Sequence, residues 1–99
     1  MNDMHTIIWP QLKTAGFNGI IVSFGASLSE PANRAALAFR DALERAGLAG
    51  VEETSTSLVS TYLRFDPLAL DHTAMRAALN KLLATRDWFG ADLPQGRKL

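Results

Sequence analysis

Apolar and polar residues follow two different periods along this chain, and the switches between them mark its elements. Ile20-Ile-Val-Ser-Phe24 is β-branched and aromatic, which predicts a buried strand. A second strand is read over Thr6–Leu12, with Pro10 at its edge or end because proline cannot donate to a ladder. Lys13–Gly19 reads as a loop closing on the turn-prone pair Asn18-Gly19. Val51–Ser57 and Leu58–Phe65 read as two further strands. In the second of these the period is two: Val59, Thr61, Leu63 and Phe65 point one way, and Leu58, Ser60, Tyr62 and Arg64 the other. The first set suits a core. The second mixes hydroxyls, an aromatic ring and a guanidinium, which suits a groove wall or a domain contact, or a half-wet face with a Tyr–Arg stack.

Between the strand pairs the period lengthens to that of a helix. Ser29 is placed as N-cap, Glu30 and Pro31 suit the first turn, and Gly47 suits the left-handed residue past the end. The helix is thus read from Pro31 to Ala46. Ala35, Phe39, Ala42, Leu43 and Ala46 share its apolar stripe. The opposite face carries Glu30–Arg34, Arg40–Glu44 and Asp41–Arg45 at i,i+4 spacing, a solvated ladder of opposite charges. Leu37 interrupts that polar face and is the one interface candidate on it. Asp66-Pro67 stops the last strand, Asp71 caps a second helix from His72 to about Arg86, and Met75, Leu79, Leu82 and Leu83 form its stripe. Trp88 and Phe89 are placed as the closure of the core.

The order ββαββα predicts an α+β two-layer sandwich, a mostly antiparallel four-stranded sheet with two helices on one face. Strand order does not follow from local signals. Residues 1–89 form the domain in this reading, and 90–99 a linker.

Composition narrows the chemistry. Ninety-nine residues with 47% hydrophobic side chains fit one globular domain. Ten basic residues balance ten acidic ones, which removes the counterion-release force behind nucleic-acid binding. There is no cysteine, so thiolate metal sites, disulfides and cysteine nucleophiles are excluded. No apolar run approaches the roughly 18 residues of a membrane span, and the acidic start lacks a basic n-region, so the expected location is the cytoplasm. No G-x-x-x-x-G-K-[ST] string cradles phosphate and no G-x-S-x-G elbow presents a serine. His5 and His72 have no second ligand at helix spacing, so no metal site is expected. His72 reads as a packing or capping residue, and Asp66 and Asp71 as turn and cap residues rather than a catalytic pair.

Three segments together resemble a known family. Gly16-Phe-Asn-Gly-Ile-Ile-Val-Ser-Phe-Gly25 is similar to the "G-D-x-A-L-L-V-x-F-G" strand of allophanate hydrolase subunit 1, also called the B-type subunit of 5-oxoprolinase, a family that includes the Kip-type inhibitor of a histidine kinase. Glu30-Pro-Ala-Asn-Arg34 resembles the Asn-bearing start of that family's first helix, and Ser60-Thr-Tyr-Leu-Arg-Phe-Asp-Pro67 its "S-x-L-V-x-[FY]-D-P" strand. Leu93-Pro-Gln-Gly-Arg97 is similar to the segment leading into the family's C-terminal cyclophilin-like barrel. Two positions depart: Phe17 stands where the family has Asp, and Leu58-Val59 where many members have Tyr-Arg. The resemblance implies the N-terminal domain of a subunit of an ATP-dependent amidohydrolase cleaving a C–N bond of 5-oxoproline or allophanate. It implies ATP with magnesium as cofactor of the assembled enzyme, and the chain's own barrel domain and a companion subunit as partners. The isolated domain is expected to be inactive, with Ser60, Tyr62 and Arg64 as candidates for one wall of a site. The alternative is a regulatory module that docks on a histidine kinase, for which Leu37 is the sequence hint.

Overall fold

The computed structural model describes residues 9–90. Strands β1 (Gln11–Thr14), β2 (Gly19–Ser23), β3 (Val51–Ser57) and β4 (Ser60–Phe65) form one antiparallel sheet in the order β1-β2-β4-β3. Helices α1 (Glu30–Ala46) and α2 (His72–Leu83) lie on one face of it, and a 3₁₀ turn at Trp88–Gly90 follows. This is the two-layer α+β sandwich the patterning predicts.

Local chemistry sets the boundaries. The Ser29 side chain accepts from the Ala32 N–H, that of Asp71 accepts from the Ala74 N–H, and Gly47 takes the left-handed conformation past α1 at φ 58°. Several boundaries differ from the sequence reading. β1 begins after Pro10 and includes Lys13 and Thr14, because an edge strand tolerates exposed polar residues that resemble a loop. The part of the predicted first strand before Trp9, and the linker after residue 90, lie outside the described residues. Leu58 and Val59 form the β3–β4 turn instead of opening β4, and Leu58 has φ 49°. The second helix stops at Leu83 with Ala84 as its cap, short of Arg86.

The core sits between the layers. Ile20, Val22, Leu63 and Phe65 from the sheet meet Ala35, Phe39, Leu43, Met75 and Leu79 from the helices, all essentially inaccessible. Trp88 packs edge-on against Phe39 at 5.2 Å, and Phe89 against Phe24 at 5.9 Å, so both close the core as expected. Ala46 is exposed and Ala32, Ala36 and Ala38 are buried: the small residues of α1 let its N-terminal half settle deeper into the sheet than the predicted stripe. The hydroxyl of Thr61, fully buried, donates to the Ala36 carbonyl at 2.8 Å, which joins the layers at mid-helix.

Candidate functional site

Because both helices cover the inner face, the alternate residues of every strand line an open outer face. Registry arranges them in rows across the sheet. Gln11, Ser23, Ser60 and Ser57 form one row, and Lys13, Ile21, Tyr62 and Ser55 the next. Gly19, Arg64 and Glu53 form a third. Ser60, Tyr62 and Arg64, which the sequence singles out, therefore share one surface and project from the central strand β4. Leu37 lies on α1 in the other layer, half-buried, and is not brought near them.

Each of the three has a definite local role. Ser60 Oγ lies 3.0 Å from Ser23 Oγ, a cross-strand hydroxyl pair. Tyr62 leans diagonally over Gly19, where its ring takes the space a side chain would occupy. Arg64 donates through Nε to Glu52 Oε1 at 3.2 Å and through Nη1 to Glu53 Oε1 at 2.7 Å. The Tyr–Arg stack of the sequence reading is thus replaced by two ion pairs. A β-bulge between Val51 and Glu53 is what lets both carboxylates reach one guanidinium.

Sequence reasoning missed Gly19, Ser23 and Ile21 as members of this surface. Only the β2–β4 pairing brings them there. Asn33, which the sequence marks only through the resemblance, donates through Nδ2 to the Leu58 carbonyl at 2.6 Å and holds the β3–β4 turn against the start of α1. His72 packs edge-on against Phe65 at 4.8 Å, as a packing residue would, and its Nε2 lies 2.6 Å from the Phe17 carbonyl. Asp66 Oδ1 accepts from the Leu68 N–H and so serves its turn.

Among the described residues the Ser23 and Ser60 hydroxyls hydrogen-bond each other and not an imidazole or carboxylate. No group of three or more His, Asp or Glu residues among those described is placed to hold a metal ion. Glu30 puts a carboxylate at the positive end of α1, and Arg34, Arg40, Arg45 and Arg64 are each paired with an acidic side chain. A shallow cleft of about 210 Å³ between the end of α1 and β3 has Leu43, Leu48 and Val51 among its lining residues. Its Glu44 already accepts from Thr54 Oγ1 at 2.6 Å. No described helix is long and apolar enough to cross a membrane.

Comparison with known proteins gives this geometry a setting. Residues 10–97 match the family described as carboxyltransferase domain, subdomain C and D. Among solved structures, the conserved uncharacterized protein PH0987 from Pyrococcus horikoshii is similar with a TM-score of 0.70 and 24% identity, over 75% of this chain and 34% of its own. The K. lactis urea amidolyase is similar with a TM-score of 0.67 and 21% identity, over 72% of this chain and 4% of its own. The protein TTHA0988 is 35% identical with a TM-score of 0.58, over 64% of this chain and 13% of its own. The chain thus spans about a third of the Pyrococcus protein and far less of the other two. No curated protein matches it.

Proposed function

The chain belongs to the carboxyltransferase subdomain C and D family, and from that premise we propose that it serves as the N-terminal unit of an ATP-dependent amidohydrolase subunit of the 5-oxoprolinase or allophanate hydrolase type. The match over residues 10–97 carries this reading. The small share of each larger relative that the unit represents supports a role inside a larger protein or assembly, and in this reading its neighbours are a barrel domain and a companion subunit.

Within that assembly the open sheet face forms a wall. Ser60 and Ser23 offer hydroxyl donors and acceptors, Tyr62 offers a flat apolar ring, and Arg64 is held in place by its two carboxylates. In this reading ATP and magnesium bind outside this unit. When bound, ATP would supply the phosphoryl group that makes an amide or lactam carbonyl an easier target for water. The residues here orient and exclude; they do not break the bond. The alternative, a module that docks on a histidine kinase through Leu37, has in the structure only a half-buried leucine to rest on.

Phosphate release from ATP, coupled to opening of 5-oxoproline or cleavage of allophanate, tests the reading. The 99-residue chain alone is expected to show none, and a longer parent polypeptide mixed with its companion subunit is expected to turn over one of the two substrates. Turnover by the 99 residues alone, or none by the assembled proteins on either substrate, would overturn it.

A further inference from the structure

Among the described residues, Phe17, Leu28, Leu58 and Leu68 are the large apolar side chains left exposed. Topology sorts them to opposite ends of the sandwich. The antiparallel register of β2 and β4 sets Gly19 beside Arg64 at one end and Ser23 beside Ser60 at the other. Phe17 and Leu68 flank the first end, where the Phe65 N–H donates to the Asn18 carbonyl at 2.9 Å. Leu28 and Leu58 flank the second, and the first turn of α1 ties them together. The Asn33 N–H donates to the carbonyl of Ser29, next to Leu28, at 2.9 Å, and Asn33 Nδ2 donates to the Leu58 carbonyl at 2.6 Å.

A single exposed leucine is ordinary. Leu58 is costly twice over: it is 64% exposed and it holds φ 49°, where Gly, Asn or Asp would sit with less strain. Strain of this kind is kept where a contact uses it. The chain also leaves the described fold at this end. Phe89 packs on Phe24 at 5.9 Å, and the Phe24 N–H donates to the carbonyl of Val59, next to Leu58, at 2.8 Å. Past Gly90 the chain continues as Ala91-Asp-Leu-Pro-Gln-Gly-Arg-Lys-Leu99. Its first large apolar residue is Leu93, and three residues of chain span up to about 10 Å.

We propose that Leu93 seats between Leu28 and Leu58, so that residues 91–95 dock across this end of the sandwich. Pro94 suits such a segment, because it disfavours helical backbone at the residue before it, which is Leu93 itself. The rival occupant from the same chain is Thr6-Ile-Ile8, which enters through β1. β2 stands between β1 and the β3–β4 hairpin. The Leu58 turn is instead drawn by Asn33 toward the helix layer, where Trp88 packs on Phe39 just before Gly90. The short tether gives Leu93 a high effective concentration at the seat. The contact forms and breaks locally, so global unfolding barely registers it. A seated Leu93 sets the direction in which a longer polypeptide would leave the sandwich. The inference does not rest on the enzyme-subunit reading, and failure of either leaves the other standing.

Nuclear Overhauser spectra and ¹⁵N relaxation of the methyl-labelled 99-residue chain test it. Contacts from the Leu93 methyls to those of Leu28 and Leu58 are expected, with a Leu93 order parameter above the roughly 0.6 of flexible chain. Leu58→Asp keeps its turn, since aspartate tolerates the left-handed conformation better than leucine. It should abolish the Leu93 contacts and lower the order there, while the Leu43 and Leu79 amide shifts stay in place. Leu28→Asp should do the same, and Leu68→Asp, at the opposite end, should change nothing at Leu93. Flexible-chain order at Leu93 in the unsubstituted protein overturns the proposal, as do contacts to Leu28 and Leu58 from Ile7 or Ile8 instead. So does order at Leu93 that survives both Leu28→Asp and Leu58→Asp.

Discussion

Tyr62 occupies the space above Gly19 so closely that a Cβ built on the glycine would stand 2.8 Å from Tyr62 Cε1 and 3.0 Å from its hydroxyl oxygen. The same Cβ would stand 2.6 Å from the Ala15 carbonyl oxygen. The ring can swing away, but the backbone oxygen cannot without opening the β1–β2 turn. Gly19→Ala is therefore expected to lower stability by about 1–3 kcal/mol, as overpacking does. Urea unfolding checks this, and Tyr62→Ala in the same chain should restore only part of the loss. A neutral Gly19→Ala would mean that the ring and the turn are not packed as described.

The β3–β4 turn carries a second constraint. Leu58 adopts φ 49°, a left-handed conformation that costs an L-residue about 1–2 kcal/mol, and Asn33 holds it through the Leu58 carbonyl. Leu58→Gly is expected to raise stability by about 0.5–1 kcal/mol after glycine's own entropy cost is subtracted. Asn33→Ala should lower it by about 1 kcal/mol. Thermal unfolding of both variants decides the matter, and a destabilised Leu58→Gly would place the strain elsewhere.

His72 joins the start of α2 to the β1–β2 loop. A carbonyl only accepts, so the ring nitrogen 2.6 Å from the Phe17 oxygen carries a proton, which selects the Nε2–H tautomer of the imidazole. Nδ1 is buried without a partner among the described residues. Long-range ¹H–¹⁵N correlation spectra should show that tautomer. His72→Ala should speed amide exchange at Ala15 and at Phe65, whose N–H groups bond to Gly19 and Asn18. A dominant Nδ1–H tautomer would contradict this link.

Arg64 separates stability from function. Its ion pairs are solvent-exposed and contribute about 0–1 kcal/mol, with some loss at high salt. Arg64→Ala should leave the fold nearly unchanged by chemical denaturation, yet reduce turnover of the assembled enzyme if the face is a wall of its site. Unaltered kinetics would remove Arg64 from that wall.

What the sequence made legible, and what it hid, follows from the range of the interactions. Ser29, Gly47 and Asp71 act on backbone groups within a turn of themselves, and all three helix boundaries they mark are observed. The alternation from Val59 to Phe65 declared which side of β4 is core. Strand order depends on Gly19 meeting Arg64 across the whole of α1 and β3, and no local pattern carries that pairing. The partners of Arg64 were hidden for the same reason, since a bulge on another strand supplies them. Leu58 was read as strand because leucine has none of the turn chemistry of Gly, Asn or Asp. The helical wheel set Leu37 among charges, but the tertiary surroundings partly cover it.

The strand order β1-β2-β4-β3 joins two hairpins through their second strands. The first half of the chain thus consists of a hairpin and α1, and the second half of a hairpin, α2 and the tryptophan turn. Neither half can cover its apolar face alone, because Phe39 of one is closed by Trp88 of the other. A chain cut at the exposed Ala49 would leave two fragments, each presenting one bare strand, β2 or β4, to its complement. The domain is thus two interlocking halves, neither of which completes the sheet without the other.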